Sequence, residues 1–133
     1  MTLYLLDTNI IFDAIRNTRG GCAARIREMP PERLCTSIVV AAELRFGAEK
    51  KGSPALSDRV DTFLASLTVM ALNGEADRYY GHLRADLERR GKLIGANDML
   101  IAAHALAIDA VLVTDNTDEF ARVPNLPLEN WLR

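Results

Sequence analysis

The sequence LYLLDTNII, at residues 3–11, predicts a buried β-strand that runs directly into a helix. Residues 3–6 are apolar without alternation, which is typical of a strand that is covered on both faces. Asp7, Thr8 and Asn9 then supply side chains that cap helices, and isoleucines follow at helical spacing. A strand–helix unit of this kind indicates an α/β fold if the remaining chain repeats it.

Further short apolar runs repeat the strand of this first unit. They lie at residues 34–36, 68–72 and 111–114, and a final strand is predicted near residues 126–128. Prolines surround that last run, so we place it at a sheet edge, where proline disturbs the hydrogen bonding least.

Helical patterns separate the predicted strands. One helix is expected over residues 38–50 with Ser37 as its N-cap, a second from Asn73 as N-cap to Gly91, and a third from near Asn97 through Ala107. Strands that alternate with helices predict a short parallel sheet with helices on both faces, and no linker divides the chain. We therefore expect a single α/β domain that covers residues 1–133.

Composition excludes several classes of protein. The 133 residues are 49% hydrophobic, which is sufficient for one core, and the net charge of −2 does not suit a nonspecific nucleic-acid coat. Cys22 and Cys35 lack the spacing of a zinc or redox motif and are expected in the core. No apolar run has the length of a membrane span and the first residues do not resemble a signal peptide, so a cytoplasmic protein is expected.

Aspartates stand directly after two of the predicted strands. Asp7 follows residues 3–6, and Asp115 follows residues 111–114. Because ligands of open parallel sheets bind at the carboxyl ends of the strands, both aspartates are candidate site residues. Capping of the following turn is the alternative explanation for either one alone.

Two further acids stand in helical segments that are otherwise apolar. Glu43 shares a helix face with Phe46, and the nearby cations Arg45 and Lys50 have the wrong spacing to pair with it. Asp98 stands at the start of a predicted helix, where capping is the simplest role for it alone.

Convergence of these four acids would require a cation, because carboxylates a few ångströms apart repel one another. Ligands that are all oxygen favour Mg²⁺, for which Mn²⁺ can substitute, and such ions complete their coordination with water and phosphate oxygens. The pattern therefore indicates metal-dependent phosphoryl chemistry.

Four motifs, in this order, resemble those of PIN-domain ribonucleases of the VapC toxin type. They are LDTN at residues 6–9, AELRFGA at 42–48, NDMLIA at 97–102, and TDN at 114–116 shortly before Glu119. The resemblance continues to the ending VPNLPLENW at residues 123–131 and so covers essentially the whole chain.

This resemblance implies a Mg²⁺-dependent endoribonuclease toxin of a type II toxin–antitoxin system. Such an enzyme cleaves structured RNA, such as tRNA, through attack of metal-activated water on a phosphodiester. A small VapB-like antitoxin would block its site, and a homodimer is expected.

The same resemblance assigns roles to individual acids. Asp7, Glu43 and Asp98 carry over directly as catalytic acids, with Asp7 and Asp98 as the main metal ligands. For the fourth acid, Asp115 is our first choice and Glu119 the second. Polar residues expected to support these acids are Thr8, Asn9 and Thr114, although capping and turn hydrogen bonds explain them equally well.

Basic residues and histidines carry weaker signals. Arg84, Arg89, Arg90 and Lys92 form the densest basic group and are candidate RNA contacts, although a solvated helix end explains them too. His82 and His104 lie in predicted helices, far apart in sequence, and are expected to be ordinary helix positions.

Three alternative functions remain at this point. A phosphohydrolase of the haloacid-dehalogenase type would need a second aspartate where Asn9 stands. A receiver-like module would need an acceptor aspartate after the third strand, where Asn73 stands. A catalytically inactive binding module is the third, and the presence of all three mapped acids argues against it.

Overall fold

A computed structural model describes residues 1–133 and contains a five-stranded, entirely parallel sheet in the order β3-β2-β1-β4-β5. The strands are β1 (Leu3–Leu6), β2 (Leu34–Ser37), β3 (Thr68–Met70), β4 (Ala110–Val113) and β5 (Leu128–Glu129). The helices are α1 (Thr8–Arg16), α2 (Gly21–Glu28), α3 (Ile38–Lys51), α4 (Pro54–Ala65), α5 (Ala76–Arg89), α6 (Ala96–Ala107) and α7 (Thr117–Phe120), and a 3-10 turn covers Pro31–Arg33. The predicted parallel α/β fold is confirmed.

The middle of the sheet forms the centre of the core. Leu5 pairs in register with Leu112 and Leu6 with Val113, and none of these four side chains is exposed. This buried position explains why the strands are apolar without alternation, because helices cover a parallel sheet on both faces. Given this strand order, the right-handed rule for parallel crossovers assigns α1 to α4 to one face and α5 and α6 to the other.

The chain leaves β1 and β4 in opposite directions across the sheet. It continues from β1 to β2 on one side, and from β4 to β5 on the other. The carboxyl ends of β1 and β4 therefore flank a topological switch point, which is where open α/β sheets bind ligands. Asp7 and Thr114 are the first residues after these two strands.

Several predicted boundaries move by a few residues. Asn73 is not the N-cap of α5, which begins at Ala76 after Gly74 has turned the chain with a φ of 64°. That helix ends at Arg89. Ser37, in contrast, caps α3 as predicted, since its Oγ accepts a hydrogen bond from the Val39 N–H at 3.1 Å.

A close helix crossing sets the position of α3. At Gly47 of α3, a Cβ atom would lie 2.8 Å from Cζ of Phe12 on α1, so a larger residue would require the Phe12 ring to move. Glu43 lies one turn before this crossing and is thereby held beside the start of α1. None of the helices has the length and hydrophobicity needed to cross a bilayer.

Candidate active site

Asp7 links the end of β1 to the start of α1. Its Oδ1 accepts the N–H of Thr8 at 2.8 Å as an N-cap, and its Oδ2 accepts the hydroxyl of Thr114 at 2.8 Å. The side chain is buried, and burial raises the pKa of Asp7 against the opposing effect of these hydrogen bonds. Glu43 and Glu119 raise it further by repulsion. Asp7 therefore caps α1 and also belongs to a cluster of acids.

Glu43 accepts hydrogen bonds from neutral donors only. The Thr8 hydroxyl donates to its Oε1 at 2.7 Å, and the Asn97 side-chain amide donates to its Oε2 at 3.4 Å. Arg45, the nearest basic residue in sequence, is paired instead with Asp61. A salt bridge within α3 therefore does not explain this carboxylate.

Asp98 and Glu119 form the second half of the cluster. Asp98 is the third residue of α6, whose N-cap is Gly95, so the predicted capping role is wrong. Burial raises the pKa of Asp98 to about 7, together with a hydrogen bond to Glu119 and repulsion from Glu119, Asp7 and Glu43. Hydrogen bonding from the Gly95 N–H, at 3.0 Å, lowers the pKa of Glu119. The pKa of Asp98 is thus raised while that of its neighbour Glu119 is lowered, which makes Asp98 the favoured site of a proton in this pair.

Asp115, our first choice for the fourth acid, lies outside this cluster. Its Oδ1 accepts hydrogen bonds from Arg133 Nε and from the Asn130 amide, both at 3.0 Å. The Arg133 guanidinium lowers the pKa of Asp115, and Asp115 does not contribute to the shifts of Asp7 or Asp98. The structure therefore brings the second choice, Glu119, to the other acids and directs Asp115 away from them.

The three predicted supporting residues lie in one hydrogen-bonded network. The buried Thr114 hydroxyl, which donates to Asp7, lies 3.5 Å from the Asn9 amide nitrogen and accepts the N–H of Asn116 at 3.0 Å. Asn9 in turn accepts the N–H of Asp115 at 3.0 Å. The end of β4 and the start of α1 are thereby held together around Asp7.

Sequence reasoning missed several residues at this site. Asn97 contacts Glu43, the Asn116 side-chain amide donates to Glu119, and Arg122 lowers the pKa of Glu119. Asn97 and Asn116 are each adjacent in sequence to an aspartate of the quoted motifs, and this adjacency could have identified them as candidate site residues. Arg122 has no comparable signal in the sequence, because the turn after α7 places it close to Glu119.

The acids form an open arrangement. No three Asp, Glu, His or Cys side chains converge closely enough to enclose a metal ion. Their donors are all carboxylate oxygens, which suits a hard divalent cation held by one or two side chains and completed by water and phosphate. The arrangement does not suit a closed structural zinc site, which needs four ligands.

The candidate RNA contacts lie in the second half of α5 and just beyond it. Arg90 pairs with Asp86 and donates to the Arg122 carbonyl at 2.7 Å, whereas Arg84 donates to the Tyr80 hydroxyl at 2.7 Å. Arg89 and Lys92 are exposed and make no side-chain hydrogen bond or ion pair. The four basic residues predicted together from the sequence therefore differ in the structure. Arg84 and Arg90 make hydrogen bonds or an ion pair, whereas Arg89 and Lys92 make neither.

Fold and site together define a class of protein, the PIN domains, whose family model matches residues 4–126. Ribonuclease VapC2 of Rickettsia felis is 40% identical over 97% of this chain and 98% of its own length. The tRNA(fMet)-specific endonuclease VapC of Shigella flexneri is 35% identical over 98% of this chain and 99% of its own.

Solved structures agree with these relatives. VapBC2 from Rickettsia felis, bound to a DNA fragment from its promoter, matches with a TM-score of 0.90 at 39% identity, over 98% of this chain and 99% of that chain. VapBC-1 from nontypeable Haemophilus influenzae matches with a TM-score of 0.86 at 34% identity, over 99% of this chain and all of that chain.

The chain belongs to the PIN-domain family, among the VapC ribonucleases, which hydrolyse RNA phosphodiester bonds. The resemblance inferred from the four motifs is confirmed. The haloacid-dehalogenase and receiver alternatives are wrong, because both belong to other families.

Proposed function

We propose that this chain is a Mg²⁺-dependent endoribonuclease toxin whose single PIN domain, residues 1–133, carries its metal site on Asp7, Glu43, Asp98 and Glu119. The observation that supports this most strongly is the linkage of the acids: Thr8 donates to Asp7 at 2.8 Å and to Glu43 at 2.7 Å, and Asn97, beside Asp98, donates to Glu43 at 3.4 Å. Burial and the neighbouring acids also raise the pKa of Asp98 to about 7. Acids gathered at this cost indicate a functional site, and their charge would be offset by a bound divalent cation.

Oxygen chemistry favours Mg²⁺, with Mn²⁺ as a substitute. When bound, the metal would supply Lewis-acid activation of a water and of the scissile phosphate. Asp7 and Asp98 are the proposed main ligands, with Glu43 and Glu119 in support. Thr8 and Thr114 hold Glu43 and Asp7 in place through hydrogen bonds of 2.7 and 2.8 Å.

Water, rather than the ribose 2′-hydroxyl, is the proposed nucleophile. Attack through the 2′-hydroxyl is commonly assisted by histidine, whereas His104 is buried against Ser37 and His82 lies on the exposed face of α5. Hydrolysis by water leaves a 5′-phosphate and a 3′-hydroxyl.

RNA cleavage in Mg²⁺, in Mn²⁺ and in excess EDTA tests this mechanism, with end-group analysis of the products. We expect cleavage in both metals, none in EDTA, and 5′-phosphate ends. Cleavage that continues unchanged in EDTA, or 2′,3′-cyclic phosphate ends, would reject the metal mechanism.

We propose structured RNA, and tRNA in particular, as the substrate. Support comes from the relatives in Shigella flexneri and Salmonella typhimurium, which are named tRNA(fMet)-specific endonucleases. Arg89 and Lys92 are the better candidate phosphate contacts because their charges are free, whereas Arg84 and Arg90 are partly engaged. Charge reversal of Arg89 and Lys92 together is expected to raise KM for tRNA, and an unchanged KM contradicts their role.

A VapB-like antitoxin is the proposed partner, with the homodimer as the assembly unit and the cytoplasm as the location. The solved relatives from Rickettsia felis and Haemophilus influenzae are VapBC complexes. A groove of about 750 Å³ beside Glu43 is lined by apolar side chains such as Ile38 and Phe46, which are 47% and 66% exposed. An antitoxin segment lying there could direct an arginine at the acids.

Expression alone and with the neighbouring antitoxin tests this partnership. We expect growth arrest that co-expression relieves, and nuclease activity that the purified partner inhibits. A partner that binds tightly but leaves cleavage unchanged would contradict this docking site. Light scattering at a strictly monomeric mass would contradict the homodimer.

A further inference from the structure

His104 is the one buried titratable side chain that the proposed chemistry does not use, apart from the cysteines. It lies in the second half of α6 and is 1% exposed. Its Nδ1 is 2.7 Å from Oγ of Ser37, 67 residues away in the sequence. Its Nε2 is buried as well, and the backbone of Ala71, just after β3, offers the imidazole a further hydrogen bond.

The chemistry of this contact is defined by its surroundings. Ser37 Oγ already accepts the N–H of Val39 as the N-cap of α3, so its own proton is free to be donated to Nδ1. Burial lowers the pKa of His104 against the opposing effect of the Ala71 backbone, which favours the neutral imidazole. In the tautomer that carries its proton on Nε2, the Nδ1 accepts the hydroxyl proton of Ser37. The bond therefore connects the first turn of α3 directly to α6.

These two helices each carry an acid of the site. Glu43 lies six residues after Ser37 on α3, and Asp98 lies six residues before His104 on α6. Six residues of helix span about 9 Å, so the acids stand at similar distances from the buried bond. A second contact, from Asn97 to Glu43 at 3.4 Å, joins the same helices at the other end of this span.

The other contacts between α3 and α6 only weakly fix the position of one helix along the other. Leu100 of α6 faces Ile38 and Phe46 of α3 across an open groove of about 750 Å³, so the two helices do not interlock closely there. The Asn97–Glu43 bond is long and exposed. A buried hydrogen bond of 2.7 Å is more demanding, because sliding would separate His104 Nδ1 from the Ser37 hydroxyl inside the core.

We propose that His104 is a positioning residue of the ribonuclease site: its hydrogen bond to Ser37 fixes the register of α6 against α3 and so sets the distance between Asp98 and Glu43. The inference rests on the proposed function for its catalytic consequence. Its structural part, the register of the two helices, does not.

Two substitutions of His104 separate the hydrogen bond from packing. His104→Leu keeps a similar volume but removes the acceptor, whereas His104→Asn restores a polar atom close to the position of Nδ1. We expect His104→Leu to weaken Mn²⁺ binding about 10-fold and to lower kcat at least about 10-fold, with KM for RNA within about twofold. We expect His104→Asn to recover both values to within about threefold of wild type.

Controls distinguish positioning from loss of stability. Val60→Ala, in the core of α4, should lower Tm without changing Mn²⁺ affinity or kcat per folded molecule. Ser37→Ala should reproduce the His104→Leu defect, and the double variant should be no worse than the single ones. Backbone amide NMR shifts of Glu43 and Asp98 in the metal-free variants report the register without reference to activity.

His104→Leu that binds Mn²⁺ and cleaves like wild type, with unchanged amide shifts, overturns the proposal. The proposal is also overturned if the losses of Mn²⁺ affinity and kcat caused by Ser37→Ala and His104→Leu add up in the double variant, because the two residues would then act independently. Absence of Mn²⁺ binding and cleavage in the wild-type protein contradicts instead the proposed function, and the amide shifts then still decide whether His104 sets the helix register.

Discussion

Replacement of Asp98 by asparagine is expected to stabilise the metal-free protein while abolishing its activity. The substitution keeps the shape of the side chain and a hydrogen-bonding group near Glu119. It removes a carboxyl group whose pKa is raised from an ordinary value of 3.8 to about 7 by burial and by Glu119, Asp7 and Glu43. Since Asp98 is not the N-cap of α6, no capping interaction is lost.

The size of the effect follows from this pKa. The difference between 3.8 and about 7 corresponds to roughly 4 kcal/mol at 1.36 kcal/mol per pKa unit. Because Asp98 is partly exposed, solvent screens these interactions, and we expect about 1–2 kcal/mol in practice. For a domain of this size, that corresponds to a rise in Tm of roughly 3–8 °C.

The pH dependence has a definite sign. Well below the ordinary pKa of 3.8, at about pH 2 to 3, Asp98 is protonated in both the folded and the unfolded wild-type protein, so the variant gains nothing from the missing charge. As the pH rises towards about 7, the unfolded state loses the proton while the folded state retains it, and wild-type stability falls. The advantage of Asp98→Asn should therefore increase between pH 4 and 7 and stay constant above.

Urea denaturation in EDTA at pH 5 and pH 8 measures this advantage, and a metal titration should reverse it. Mn²⁺ should raise the Tm of the wild-type protein but leave Asp98→Asn unchanged, and cleavage should fall at least about 100-fold in the variant. Asp77→Asn is the matched control, since Asp77 is exposed in the first turn of α5, and both measurements should stay near wild type. Destabilisation of Asp98→Asn in EDTA at pH 8, or near wild-type cleavage, would refute the reasoning.

Further substitutions test the remaining assignments. Glu119→Gln should lower cleavage at least about 100-fold, whereas Asp115→Asn, which only weakens the contact with Arg133, should stay within about threefold; the reverse order would return Asp115 to the site. Thr114→Val removes the 2.8 Å donor of Asp7 and should cost about 1–3 kcal/mol in urea denaturation together with most activity, and an unchanged midpoint would show that the network is not needed.

Much of this molecule could be predicted from the sequence because its signals are local. Unalternating strands of four residues can be buried only in a helix-covered sheet, and Asp7 directly after β1 must lie at the edge where ligands bind. Glu43 was recognisable because it stands in an apolar helix face without a cation at helical spacing. These inferences need no knowledge of distant contacts.

Prediction failed where a distant residue decides the outcome. Asp115 stands directly after β4, as expected, but Arg133 at the end of the chain determines where its carboxylate points. Glu119 reaches the site through the N–H of Gly95, 24 residues away. The sequence predicts an ordinary helix position for His104 and an N-cap for Ser37, whereas the structure brings these two side chains within 2.7 Å of each other. Side-chain direction is a property of tertiary contacts that spacing does not contain.

The site keeps its negative charge because of the kind of hydrogen-bond donor that holds each carboxylate. Thr8 and Thr114 fix the carboxylates with hydroxyl groups, which orient a side chain but leave its charge in place. An arginine would hold a carboxylate more firmly, as Arg133 holds Asp115, but it would occupy the oxygen lone pairs that a metal ion needs. Because the donors at the site are mostly neutral, its negative charge remains to be offset. On the proposed function, a divalent cation held by these acids would provide that offset and would at the same time allow an RNA phosphate, itself an anion, to approach them.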